Sequence, residues 1–212
     1  MAPCRSPEHA LQPIILTVLR GGGEYHAGHV ETLRDQCRRH APGIEFACLS
    51  REDVPGKIEA LHDWPHWWCK MEMFRLPGPV LYMDLDTVIT GNLGPLLDTA
   101  LSRQFTVLRD FNPHARDMGS GLMAWSGDMG DLYRAFKADP ARHMAENNSG
   151  RWLGDQGFIE RHTSARSYWQ VECPGAVVSW KKHCQAGIPK GARVVCFHGK
   201  PRPWDTNVYE AI

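Results

Sequence analysis

Short apolar runs alternate with periodic, mixed segments along most of the chain. Pro13 to Leu19 (PIILTVL) carries no charge and predicts a buried strand, which Arg20 and the glycines Gly21, Gly22 and Gly23 then turn. From Tyr25 to His40 the apolar positions Val30, Leu33 and Cys37 fall three or four apart, the spacing of one helix face, and Pro42-Gly43 stops it. Ile44 to Leu49 predicts a second strand, so the chain opens as β-α-β, the start of a parallel sheet. Asp63 to Leu76 predicts a helix carrying Trp64, Trp67 and Trp68, and Pro77-Gly78-Pro79 turns it into an apolar strand from Val80. A short helix near Pro95 to Leu101 and strands over Phe105 to Arg109 and Ser120 to Ser126 follow. Asp128 and Asp139 are placed to cap helices from Met129 to Lys137 and onward to Met144. Late strands are expected at Val177 to Trp180 and Arg193 to Phe197. The pattern predicts an α/β domain over residues 13–212, after a loose polar tail over 1–12. Its central sheet is mostly parallel, helices cover both faces, and ligands bind at the carboxyl ends of the strands.

The apolar run from Val80 breaks into Asp84-Leu85-Asp86. Side chains at i and i+2 of a strand face the same way, so both carboxylates are expected to converge where the strand ends. Such a pair repels unless positive charge sits between its members, and a divalent cation is the usual answer; an Asp-capped surface turn is the plainer alternative. The strand Arg193 to Phe197 ends in His198, followed by Gly199, Lys200, Arg202 and Trp204. Two carboxylates and an imidazole form a mixed oxygen and nitrogen set that suits Mn²⁺, with Mg²⁺ as a substitute, and leave positions that a diphosphate can fill. Gly199 lets backbone approach a phosphate closely, and Lys200 and Arg202 can donate charge-assisted hydrogen bonds to it. A packed histidine beside a solvated basic turn is the alternative.

Composition narrows the field. Lys plus Arg and Asp plus Glu both number 24 in 212 residues, which argues against a broadly basic nucleic-acid-binding surface. The seven cysteines are odd in number and form no C-x-x-C pair, against a disulfide framework or a zinc knuckle. No apolar run approaches the ~18 residues of a membrane span and no signal pattern opens the chain, so a cytoplasmic location is the simplest expectation.

Taken in order, these pieces resemble the GT-A-fold (nucleotide-diphospho-sugar transferase) glycosyltransferases, and most the family-8, glycogenin-like ones. The matching pieces are the first strand and loop from Thr17 to Tyr25, Lys70 one helix before the D-x-D strand, LYMDLDTVITGNL itself, and Ser120-Gly121. Gly154-Asp155-Gln156-Gly157, the S-W-K-K run and the H-G…P-W ending complete the set. The resemblance spans about residues 14–204. It implies transfer of a hexose or pentose, with retention, from a nucleotide-sugar donor, UDP-linked by preference, with Mn²⁺ on the diphosphate. It places Asp84, Asp86 and His198 on the metal, and Asp155 and Gln156 nearest the reacting carbon. Thr17, Leu19, Tyr25, Lys70, Ser120, Gly199, Lys200 and Arg202, together with Asp84, fall on the donor. Gly119 stands where the family usually has Asn, and Arg202 where a lysine is typical. The acceptor, whether glycan, protein, lipid or modified nucleic acid, stays open; its site is expected around residues 110–170. Two other readings compete: a haloacid-dehalogenase-type phosphatase using Asp84 and Asp86, and a non-catalytic sugar-nucleotide-binding protein. For Asp155 the local alternative is a helix N-cap beside Gly154.

Overall fold

The computed structural model describes residues 12–112 and 117–210. Residues 1–11, nearly all of the expected tail, lie outside the described residues. The chain opens as the pattern predicts, with β1 (Ile14–Leu19), α1 (Ala27–His40) and a parallel β2 (Glu45–Ser50). β3 (Lys57–Glu59), a 3₁₀ segment (His66–Arg75), β4 (Val80–Met83), β5 (Thr87–Ile89), α2 (Gly94–Ser102), β6 (Phe105–Arg109) and β7 (Met118–Trp125) follow. The last third holds α3 (Gly130–Ala138), α4 (Pro140–Glu146), α5 (Gly154–His162), β8 (Ser167–Tyr168), α6 (Trp169–Glu172), β9 (Val177–Ser179), α7 (Trp180–His183) and β10 (Val194–Cys196).

Seven strands form the central sheet in the order β3-β2-β1-β4-β7-β6-β8. β7 runs antiparallel to both neighbours, and every other pair is parallel. Both faces are covered, as side-chain alternation along β4 makes plain. Leu81 and Met83 pack toward α1 and α2, with Val30, Leu33, Leu96 and Ala100; Val80 and Tyr82 pack toward the 3₁₀ segment, α3 and α5, with Met71, Phe74, Phe136 and Phe158. A smaller sheet, β5-β10-β9, adjoins it with its own apolar cluster, Val88, Val178, Val195 and Phe197. Among the described residues no helix is long and apolar enough to cross a membrane.

Two local expectations are corrected. The helix expected over Asp63 to Leu76 is instead 3₁₀ from His66. Lys70 to Phe74 are five consecutive buried residues, so the segment lacks the polar stripe of an amphipathic α-helix. The strand from Val80 stops at Met83, before either carboxylate, and the chain turns through Asp84-Leu85-Asp86 into the second sheet. Asp84 and Asp86 therefore occupy an inter-sheet turn rather than one strand face. The turn is fixed at both ends, where Asp84 N–H donates to Gly121 O at 2.9 Å and the buried Gln36 side chain accepts from Ile89 N–H at 2.6 Å. The apolar pattern does not predict α5, because Gly154 and Gly157 interrupt its periodicity.

Gly157 seats α5 on the backbone before it: a Cβ there would stand 2.0 Å from Trp152 O. Gly157→Ala is expected to cost about 1–3 kcal/mol by forced displacement, lowering the melting temperature by roughly 2–4 °C per kcal/mol. Gly127→Ala, with open space around its Cβ, is the control. Thermal melting followed by circular dichroism checks both.

Candidate active site

A cleft of about 940 Å³ opens beyond the carboxyl ends of β1 and β4. Its floor is a buried charged network. The Lys70 ammonium, carried in by the 3₁₀ segment, lies 3.2 Å from Asp84 Oδ1, 3.0 Å from Asp155 Oδ2 and 3.1 Å from Ser120 Oγ. Ser120 donates in turn to Asp155 Oδ2 at 2.6 Å, and Tyr82, two residues before Asp84, donates its hydroxyl to Asp84 Oδ1. Burial pulls the Lys70 pKa down, but Asp155 and Asp84 together outweigh it and hold the ammonium above its ordinary value. Burial and then the charge of Asp84 drive the Tyr82 phenol well above its usual value, so it stays a donor.

The arrangement follows from local structure. The β6–β7 register shifts between Val107 and Leu108, so Ser120 falls in the stretch of β7 without a β6 partner and faces Lys70, while Leu122 stays paired with Met83 of β4. Asp155 is the second residue of α5 and does not cap it; Leu153 is the N-cap, and the Asp155 carboxylate is spent on Lys70 and Ser120. This corrects the N-cap alternative.

A second group closes one side of the cleft. Arg202 contacts Asp86 Oδ2 through Nη1, and holds Glu24 Oε2 at 3.1 Å through Nη2. Tyr25 donates to Asp86 Oδ2 at 3.1 Å, with the Arg202 guanidinium 5.2 Å from its ring centroid. Burial, then the Asp84 charge, raise the Asp86 pKa to about 6 against the pull of Arg202. Glu24 also bonds Lys200 at 2.5 Å, and hydrogen bonds from Lys200 and Arg202 hold its carboxyl below the usual range.

Of the residues singled out in the sequence, Tyr25, Lys70, Asp84, Asp86, Ser120, Asp155, Gln156, His198, Gly199 and Arg202 line the cleft. Thr17 and Leu19 do not: their side chains are buried, and alternation along β1 gives the cleft Val18 instead. Lys200 stands outside the lining, exposed and paired with Glu24 and Asp205. His198 reaches the cleft, but its Nε2 pairs with Ser179 Oγ at 2.8 Å and its ring stacks on Phe111 at 5.9 Å. Burial, then Lys181, lower its pKa. Among the described residues no three His, Cys, Asp or Glu side chains are grouped to hold a metal ion, so His198 does not join Asp84 and Asp86 as expected. The two carboxylates by themselves fit a hard divalent cation, since both are oxygen donors lining the cleft and the charge of Asp84 disfavours that of Asp86. Residues 113–116, inside the expected acceptor region, lie outside the described residues. Sequence reasoning missed Glu24 and Tyr82. Tyr82 carried a usable signal, being at i−2 from Asp84; Glu24 carried none beyond its place before Tyr25.

No protein-family model matches the chain, and no curated protein matches it in sequence. Solved structures do resemble it. The glycosyltransferase GlyE of Streptococcus pneumoniae TIGR4 aligns with a TM-score of 0.64 and 14% identity over 92% of this chain, and its apo form with 0.63 and 12%. A glycosyltransferase involved in the glycosylation of the major capsid of PBCV-1 aligns with 0.59 and 13% over 94% of this chain and 99% of its own. The chain spans 56% of GlyE, little more than half its length. The α/β fold is thus one that glycosyltransferases use.

Lys70→Met leaves two carboxylates facing each other without their cation. It is expected to destabilise by about 3–5 kcal/mol, and adding Asp155→Asn is expected to recover part of that loss. Urea unfolding of the single and double variants checks the coupling.

Proposed function

We propose that the chain is a glycosyltransferase that moves a sugar from a nucleotide-diphosphate donor, UDP-linked by preference, to an acceptor hydroxyl with retention. The observation that carries this reading is the buried Lys70–Asp84–Ser120–Asp155 network on the floor of a large cleft, in a fold shared with glycosyltransferases. In the reaction the bond between the sugar carbon and the phosphate oxygen breaks, and its electron pair leaves with the diphosphate. The acceptor oxygen forms the new bond and gives up its proton to the departing diphosphate oxygen. Positive charge develops at the sugar carbon, and Asp155 is placed to oppose it. Both Lys70 and Ser120 bond Asp155 Oδ2, and a carboxylate so neutralised is a weak nucleophile, which favours electrostatic stabilisation on one face over a covalent intermediate.

The charge of the cleft supports a role for Mn²⁺ or Mg²⁺. Among the described lining residues five carboxylates (Glu24, Asp84, Asp86, Asp110, Asp155) face three cations (Arg20, Lys70, Arg202). A diphosphate entering unaided meets an acidic wall. Asp84 and Asp86 would hold the ion, which when bound supplies positive charge to the leaving diphosphate. Arg202 is placed to add a donor once Glu24 releases it.

Calorimetric titration of UDP with and without Mn²⁺ tests the reading. Metal-dependent binding is expected in the wild type and its loss in the Asp84→Asn/Asp86→Asn variant; equal binding in both overturns the site assignment. Asp155→Asn is expected to abolish turnover of the nucleotide sugar by at least about 10²-fold with UDP affinity kept. Glu24→Gln is expected to raise UDP affinity a few-fold at low ionic strength, an effect that shrinks in high salt. Weaker binding in that variant would make Glu24 a contact for the ligand and not its rival.

A further inference from the structure

All eight tryptophans fall within the described residues, and seven of them are buried, stacked on another ring or set against a guanidinium. Trp125 and Trp169 are wholly buried, and Trp68 stacks on Phe136. Trp64 stacks on His62, Trp180 on Phe197 and Trp204 on His29. Trp152 lies under the Arg151 and Arg161 guanidiniums. Trp67 differs. It is 44% exposed, lines the cleft, and has no ring closer than His66, tilted at 6.0 Å.

One face of Trp67 is nonetheless firmly backed. A Cβ added to Gly154 would stand 2.9 Å from the indole Nε1 and 3.1 and 3.3 Å from its two ring neighbours. Distances that nearly equal place the contact above the ring plane, because an approach in the plane would leave both neighbours much farther away than Nε1. The indole therefore lies flat on the Gly154 backbone, which a φ of +82° reserves for glycine. His66, just before Trp67, holds a φ of +50°, the one non-glycine residue in the left-handed region among those described. Such strain persists where the surroundings enforce it.

Position gives the free face its meaning. The contacts across the cleft run from Glu24 and Arg202 to Asp86, then through Lys70, between Asp84 and Asp155; Gly154 and Trp67 come next, at the end away from the arginine. The geometry points to Trp67 as a stacking platform for a pyranose ring at the end of the cleft beyond Asp155. A pyranose has one face of C–H bonds, apolar and slightly positive, which matches the negative face of an indole, while its hydroxyls stay in water. The inference rests on the glycosyltransferase reading of the same cleft and adds the class of ligand at its far end. Because Trp67 lies beyond Asp155 from Asp86 and Arg202, where that reading puts the diphosphate, we assign the ring to the acceptor, which then carries a sugar.

Saturation-transfer NMR with a panel of neutral sugars (methyl glucoside, methyl galactoside, methyl mannoside, methyl N-acetylglucosaminide, lactose and cellobiose) tests it on the full chain. At least one panel member is expected to receive saturation on the C–H hydrogens of one ring face. That signal should fall about tenfold in affinity in Trp67→Ala, a loss of the size of one aromatic contact, and survive in Trp67→Phe. Trp67→Leu, which keeps an apolar side chain against Gly154 without a π face, serves if Trp67→Ala melts early; it should lose the sugar as well. Signal retained with UDP-glucose present supports the acceptor ring, and signal displaced by UDP-glucose but not by UDP puts the donor's sugar on the platform and overturns the acceptor assignment. No transfer to any panel member, or unchanged affinity in Trp67→Ala and Trp67→Leu, overturns the platform. UDP binding read on the same samples keeps the two readings apart: sugar binding without UDP binding sinks the glycosyltransferase reading alone, and UDP binding without sugar binding sinks the platform alone.

Discussion

The Lys70 ammonium, taken almost wholly out of water, is the contact on which the site depends. Stripping a lysine of solvent costs several kcal/mol, and only partners at hydrogen-bond distance recover it. Its three partners come from three places: the end of β4, the irregular start of β7, and the first turn of α5. The cation thus fixes the relative positions of four segments far apart in sequence. A network that must be complete to be tolerable also leaves its carboxylates little freedom. Asp155 and Asp84 are held at set positions before any ligand arrives, which is the condition for electrostatic preorganisation.

Around this fixed floor the walls are of a different kind. Arg202 and Glu24 tie the segment after β10 to the glycine-rich loop after β1, and Arg202 is anchored on its other side by the buried Asp86. Exposed ion pairs are individually weak and screened by salt, so Glu24 can leave Arg202 at small cost while the floor stays fixed. A rigid reacting centre beside an adjustable wall suits a site that admits a bulky ligand and then positions one of its atoms.

Much of the sheet was legible because its strands are apolar runs bounded by Gly, Pro or charge: β1, β2, β4 and β6 lie within a residue or so of where their patterns put them. The 3₁₀ segment was placed but mistyped, since Lys70 and Glu72 are buried among apolar neighbours and neither periodicity nor polarity identifies such a stretch. α5 was hidden by the glycines that let it pack tightly. At the site, Lys70, Ser120 and Asp155 were singled out and do meet, although each was named by resemblance and none by local pattern. Thr17 and Leu19 turn their side chains away from the cleft because a motif names positions, whereas strand alternation decides which side chains face it. His198 was placed at the right strand end, but the bond to Ser179 is long-range and leaves no trace in spacing.

The acidic excess of the cleft also separates its carboxylates by role. Asp84 and Asp155 are pinned by Lys70, and Asp86 by Arg202 and Tyr25, so none of them can withdraw when an anion approaches. Glu24 can. It stands on a loop of three glycines, with partners that are a surface lysine and the outward face of Arg202. Its carboxylate bridges two cations as a phosphate group would, and so holds Arg202 in register over the cleft while no anion is there. An anion that approaches Arg202 has to displace only this one carboxylate, and the guanidinium is already in place. Asp84, Asp86 and Asp155 keep their own cationic partners through that exchange. Charges in a poorly solvated cleft act at close range, so a movable Glu24 changes the charge that the cleft presents while the floor stays as it is.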